Sequence, residues 1–143
     1  MFSLIKKQNG QTMLEAAIVL PLIVFVMFAI IVYGFALNSK IAVITAAREG
    51  ARTYAVYKNE NLMRDSVEKQ LKTAIPMSSS KFAQSFNKYS DIQYSVDPIT
   101  KCVTVTVTFR QPTYIPGLMR LLGGGNIGNY FNLKGSAVFK LEP

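Results

Sequence analysis

The chain has 143 residues, half of them apolar, with a formal charge of +8, one cysteine and no histidine. That length, with about a quarter of it in a membrane-proximal N-terminus, supports one small folded module and not two, while the cysteine and histidine counts exclude an intrachain disulfide, a Cys/His zinc site and any histidine-based triad. Without Lys6 and Lys7 the charge is still +6, spread evenly from Lys40 to Lys140; no basic block stands out, so a solvated basic surface and attraction to anionic lipid, cell-wall polymer or a DNA backbone both stay open.

The first element is a helix long enough to cross a membrane. From Ala16 to Leu37 there is no charged residue, and those positions span about 33 Å as a helix against about 30 Å of hydrocarbon. Lys6 and Lys7 precede a polar break at Gln8-Asn9-Gly10, and the apolar run follows the break. A secretory signal has the opposite order, a shorter apolar core and a small-residue cleavage site beyond it. Charge counting leaves the orientation ambiguous: Lys40, Arg48, Arg52 and Lys58 face Lys6 and Lys7 across the span, and the positive-inside rule taken literally would slightly favour a cytoplasmic C-terminal part.

Glu15, at the lip of the run, needs a reason to be there. One reading is an interfacial acid in the first helical turn, favoured by the helix dipole. The other is a charge partner in an assembly of parallel helices, where it meets the free α-amino group of a neighbour. That pairing needs an N-terminus four residues upstream, which a cut between Gly10 and Gln11 would create. Gly10 lacks a Cβ and can enter a narrow protease site in extended form; it is equally a plain break before a helix. Pro21 removes one backbone hydrogen bond and bends the helix. Gly34, with Ala29 and Ala36, offers a weak site of close helix approach.

The helix is expected to continue to about Tyr57, starting near Thr12. Val43, Ile44, Ala47, Ala51, Tyr54 and Ala55 recur at spacings of three and four as one stripe. Ala46, Ala47, Gly50 and Ala51 allow close packing, and Gly50, which costs about 1 kcal/mol relative to alanine, is best explained that way. Arg48, Glu49 and Arg52 are placed either to pair locally or to touch another assembly component. A second helix is expected over Leu62–Ile75, with Met63, Val67, Leu71 and Ile75 on one face and Pro76 ending it. Phe82 and Phe86 suggest a helical turn within Lys81–Ser90. Ile92, Tyr94 and Val96 alternate, Asp97–Thr100 form a turn, and Val103, Val105, Val107 and Phe109 line one face of the returning strand, with Cys102 a small strand residue on the other. Leu133 to Leu141 suggests a third strand. The class is therefore α+β, with a small antiparallel sheet packed on the long helix.

Between the last two strands, Gly123, Gly125 and Gly128 match the dinucleotide-binding letters, but no βαβ unit surrounds them and the acidic partner is missing. Pro116–Leu122 reads as core packing or an exposed apolar contact. The acids of the folded part, Glu49, Glu60, Asp65, Glu68, Asp91, Asp97 and Glu142, make no recognisable catalytic pair, and no nucleophile has a base. No enzyme activity, cofactor or metal site is expected.

Lys6-Lys7-Gln8-Asn9-Gly10 followed by Gln11-Thr12-Met13-Leu14-Glu15 resembles a class III (type IVb) prepilin cleavage site. Beyond it, the run from Glu15 to Leu20-Pro21 and the run Ala46-Ala47-Arg48-Glu49-Gly50-Ala51-Arg52 resemble the signature of the TadE-like pseudopilins of tight-adherence pili. The tail from Val105 to Glu142 is similar more loosely. The resemblance implies a cleaved leader over residues 1–10, a long helix over 11–57 with its membrane part at 16–37, and a small extracytoplasmic domain over 58–143. It implies a minor pilin or pseudopilin, since the tyrosine that follows the glutamate in major pilins is Ala16 here. Processing residues would be Lys6, Lys7, Gly10 and Gln11, and assembly residues Glu15 and Pro21. Arg48, Glu49, Gly50 and Arg52 belong to the family motif. Partners would be other pilin subunits through the N-terminal helix, a prepilin peptidase, the pilus assembly platform and membrane lipid. The location would be the inner membrane before assembly and a cell-surface pilus after it, serving adhesion. Two alternatives remain at this point: an unprocessed single-pass binding module, and a pseudopilin whose basic domain grips DNA or another polyanion, although nucleic acid is not the expected partner.

Overall fold

A computed structural model describes the backbone of residues 3–112 and 130–141 and the side chains from residue 12 onward within those ranges. The loop readings at Pro116–Leu122 and Gly123–Gly128 fall outside the described residues. The chain divides into two units, Met1–Phe35 and Ala36–Pro143.

Helix α1 runs over Ser3–Tyr57 without interruption, through Gly10 and Pro21. It begins at Ser3 and not near Thr12. Leu4, Lys6, Lys7 and Gln8 are good helix formers, and a single glycine at about 1 kcal/mol does not outweigh them. In the first unit the apolar side chains from Met13 onward face outward, with only Phe25 and Val32 half-buried. A charge-free stretch of helix with its apolar surface turned out on all sides is compatible with a single-pass membrane anchor.

The second unit is built on the other half of α1. Its buried positions are Ser39, Ala42, Val43, Ala46, Ala47, Gly50, Ala51 and Ala55, which repeat at three and four as one helical face should. Val43, Ala47, Ala51 and Ala55 of the expected stripe are buried, as are Ala46 and Gly50, read as close-packing residues; the face is rotated only in that Ile44 and Tyr54 are half-buried while Ala42 lies inside. Size explains the rotation, because the smallest side chains permit the closest approach of other backbones, and dispersion rewards that approach. At Gly50 an added Cβ would stand 2.5 Å from Val67 Cγ2. At Gly135, on the last strand, it would stand 3.0 Å from the backbone nitrogen of Ile44 and 3.0 Å from Val43 Cγ1. The helix therefore touches a second helix and a strand where one side of each contact has no side chain.

Helix α2 spans Glu60–Ala74. It starts before the expected Leu62 because Asn59 caps it, its side-chain oxygen accepting from the Asn61 and Leu62 amides at 2.9 and 3.3 Å. Met63, Val67 and Leu71 are buried as expected, and so is Arg64. Pro76 forces Ile75 into extended backbone and ends the helix. Helix α3, Ser79–Ser85, is one short stretch that turns Phe82 and the adjoining Phe86 onto Phe109, with ring centroids 6.0 and 6.4 Å apart.

Strands β1 (Ile92–Asp97), β2 (Cys102–Pro112) and β3 (Tyr130–Lys140) form an antiparallel sheet in the order β1-β2-β3. The hairpin closes at Asp97 opposite Cys102, and Asp97 accepts from the Ile99 amide and the Thr100 hydroxyl. These bonds hold its carboxyl below the ordinary range. Val103, Val105, Val107 and Phe109 are fully buried, while Thr104, Thr106 and Thr108 alternate on the outer face. The α+β class expected from the sequence is the one observed.

Arg64 organises a polar network at one side of this core. Its Nε donates to Glu60 Oε1 at 2.8 Å, and Nη1 donates to the carbonyls of Lys88, Tyr89 and Ile92 at 2.6, 3.4 and 3.3 Å. The Tyr94 hydroxyl donates to Glu60 Oε2 at 2.8 Å. Donation first from Arg64 and then from Tyr94 holds the Glu60 carboxyl below its ordinary value near 4.5. A carboxyl depressed in the folded state stabilises above its unfolded value, and that contribution is lost as pH falls through the folded one. Urea midpoints of the wild type should therefore fall as pH drops below about 4.5, whereas those of Glu60→Gln should fall less over the same interval. Parallel midpoint curves would remove Glu60 from the acid response.

Candidate functional site

The residues singled out for processing, Lys6, Lys7, Gly10 and Gln11, lie within α1, and their side chains fall outside the described residues. Glu15 and Pro21 are exposed on the same helix. Because α1 begins at Ser3, Glu15 is more than three turns from the helix start. It is not in the first turn, and the dipole, which acts within that turn, gives it little.

Further along, the run Ala46–Arg52 splits by face. Ala46, Ala47, Gly50 and Ala51 are buried against the second unit's own core, Glu49 is half-buried, and Arg48 and Arg52 are exposed. The local pairs considered from spacing do not form: among the described residues no ion pair joins Arg48, Glu49 or Arg52. Thr53 Oγ1 donates to the Glu49 backbone carbonyl at 2.9 Å, and the two arginines stay exposed. One short motif thus carries a packing half and an outward cationic half.

Most of the acids elsewhere in this unit are matched by a base. Lys72 pairs with Glu68 at 2.6 Å, Lys88 with Asp65 at 3.1 Å and Arg110 with Asp91 at 3.4 Å. A shallow depression lined by Lys72, Phe82, Lys88 and Tyr89 consequently has both of its ammonium groups engaged, and offers little to an anion. Cys102 is a half-buried strand residue whose thiol donates to the Thr100 carbonyl. Sequence reasoning missed the Arg64 hub. Its position on the apolar face of α2, in phase with Met63 and Val67, was the available signal.

These features define a class: a charge-free helix with an acid at its lip, continuing as the small-residue spine of a compact α+β unit. Residues 10–52 match the family model described as TadE-like protein. The matched stretch holds Gly10, Glu15, Pro21 and the whole Ala46–Arg52 run, so the resemblance read from those residues is borne out there. No curated protein and no solved structure matches the chain.

Proposed function

We propose that this protein is a minor pilin or pseudopilin of a tight-adherence pilus. The α1 helix holds it in the inner membrane until a prepilin peptidase cuts between Gly10 and Gln11. The same apolar surface then packs against the helices of other subunits at the assembly platform. The observation that carries the reading is the family-model match over residues 10–52, which holds Gly10, Glu15 and Pro21. Glu15 stands at the edge of the apolar run. After the cut it is the fifth residue, one turn from a new amine, and an amine of a neighbouring helix in the same register can neutralise it. Adhesion follows as the role of the pilus it enters.

One feature favours an unprocessed anchor: α1 passes through Gly10 as helix, so a protease must unwind it. Glycine holds a helix about 1 kcal/mol less well than alanine, which keeps the cut feasible. The intact mass of the membrane-extracted protein decides. Processing predicts loss of residues 1–10 when the cognate peptidase is present, and a full-length mass in its presence would sink it. Glu15→Ala should insert in the membrane as the wild type does and be recruited into pili several-fold less; normal recruitment would count against the charge pair.

A further inference from the structure

Arg48 and Arg52 stand one turn apart on α1, both exposed, and side chains at i and i+4 are neighbours, with Cβ atoms about 5–6 Å apart. Both belong to the second unit, so a single helix fixes their spacing. Like charges at this spacing oppose a helix, and among the described residues no acid meets either guanidinium. Gly50, midway between them, is buried. Packing thus accounts for the inward residues of the run. It does not account for the two arginines, the second of which closes the family match at residue 52.

The stripe they share extends both ways. Ile41, Thr45, Arg48, Arg52 and Val56 recur at spacings of three and four, which places them on one side of the helix. All five are exposed, Ile41 by 63% and Val56 by 47%. Between Lys40 and Lys58 these arginines are the only cations. A guanidinium pair bounded by exposed aliphatic side chains has the composition of a protein interface, where arginine is enriched and lysine depleted. A polyanion rewards charge density instead, and no lysine adds to it here.

The described part of the second unit does not hold the complement. Glu60, Asp65, Glu68 and Asp91 are each held by a base, and Asp97 is bonded within its own turn. Glu49 is left, half-buried and next to Arg48 on the same helix. The chain carries +8, so a second copy would bring mainly repulsion to this stripe.

We infer that Arg48 and Arg52 bind paired carboxylates on a different, acidic protein, with Ile41 and Val56 closing on its apolar surface at either end. The fit asks for two acids about one helical turn apart, each taken bidentately by one guanidinium. The inference rests on the pilin reading above and names the partner within it: another subunit that presents acids, and not a second copy of this chain.

Carbodiimide joins a carboxylate to an amine without a spacer and leaves arginine untouched. Arg48→Lys and Arg52→Lys therefore turn each position into a probe for an acid while keeping its charge. Membranes from cells that carry the whole pilus system and one of these full-length variants are treated, and the products are mapped by mass spectrometry. The expected result is an amide bond from position 48 or 52 to an aspartate or glutamate of another pilus subunit, absent from the wild type. In parallel, Arg48→Gln with Arg52→Gln should lower recruitment into pili by at least about tenfold, as loss of interfacial charge pairs does. Its urea midpoint should be no lower than that of the wild type, because the repulsion along the helix is gone. A bond only between two copies of this chain would overturn the acidic partner of a different kind, and no bond at either position would overturn the carboxylate. Binding to double-stranded DNA or phosphatidylglycerol vesicles that the double change abolishes, with no amide bond formed, would overturn it in favour of a polyanion. Intact mass keeps the two readings apart. Loss of residues 1–10 without the bond sinks this inference alone, whereas a bond formed on a chain that keeps those residues sinks the processing step and supports the acidic partner.

Discussion

Gly50→Val is expected to cost at least about 3 kcal/mol of folding stability, seen as a lowered urea midpoint of the full chain in detergent. Helix propensity alone predicts a small gain, since most residues are better than glycine in a helix interior. Packing decides the sign. The first added carbon would stand 2.5 Å from Val67 Cγ2, with Met63 Cγ and Val105 Cγ1 both at 3.6 Å behind it. Val67 is fully buried, and as a β-branched residue in a helix it has one strongly preferred rotamer, so it cannot swing aside and α2 must move. Overpacking of this kind costs about 1–3 kcal/mol for extra methylenes, and more where the backbone is displaced. A paired measurement keeps the argument checkable. Gly50→Ala combined with Val67→Ala should be less destabilised than the sum of the two single changes, because the second removes the atom that the first strikes. A Gly50→Val protein as stable as the wild type would show that α1 and α2 do not meet there.

The same glycine shows what the sequence discloses and what it hides. Gly50 stood out as a costly residue in a helix, and close packing was its best explanation, so the contact was legible before its partner was. The partner was not, since nothing in local spacing says which of several apolar residues reaches a given point. The depth of Ile44 and Tyr54 was overjudged for a related reason: hydropathy places them inside, whereas close approach favours the smaller Ala42, Ala46 and Gly50, of which only Ala42 had not been read as a packing residue. The strands were legible because alternation with period two holds through Val103–Phe109 without a fault. The start of α1 was not, as a polar break with one glycine reads as a stop although Leu4, Lys6, Lys7 and Gln8 before it are helix formers. In the candidate site, Glu15 was legible as an acid against an apolar run. That it lies more than three turns into the helix depends on residues whose propensity was masked by that apparent break.

Arg64 lay furthest from the reach of sequence reasoning, and its replacement is the second large effect. Arg64→Met should cost about 1–3 kcal/mol, the range for leaving a buried acceptor without its donor, since the Glu60 carboxylate it would leave behind is partly exposed. The methionine can fill the same channel, so the loss is in hydrogen bonds and not in volume. The carbonyls of Lys88, Tyr89 and Ile92, which now accept from one guanidinium nitrogen, would lose that donor at the point where the chain enters β1. An acceptor left buried and unmatched costs about 1–3 kcal/mol. Arg64→Lys should fall between, because a single ammonium cannot present the planar fork that reaches the carbonyls and Glu60 together. The expected readings are a lowered urea midpoint and faster hydrogen exchange over residues 88–92; a midpoint within about 1 kcal/mol of the wild type would mean that water replaces the guanidinium without loss. The change also separates two parts of the proposed function. Membrane insertion and the cut after Gly10 depend on α1 before Phe35, in the first unit, and should persist in Arg64→Met. Recruitment into pili, which needs a folded second unit behind the helix, should fall with stability.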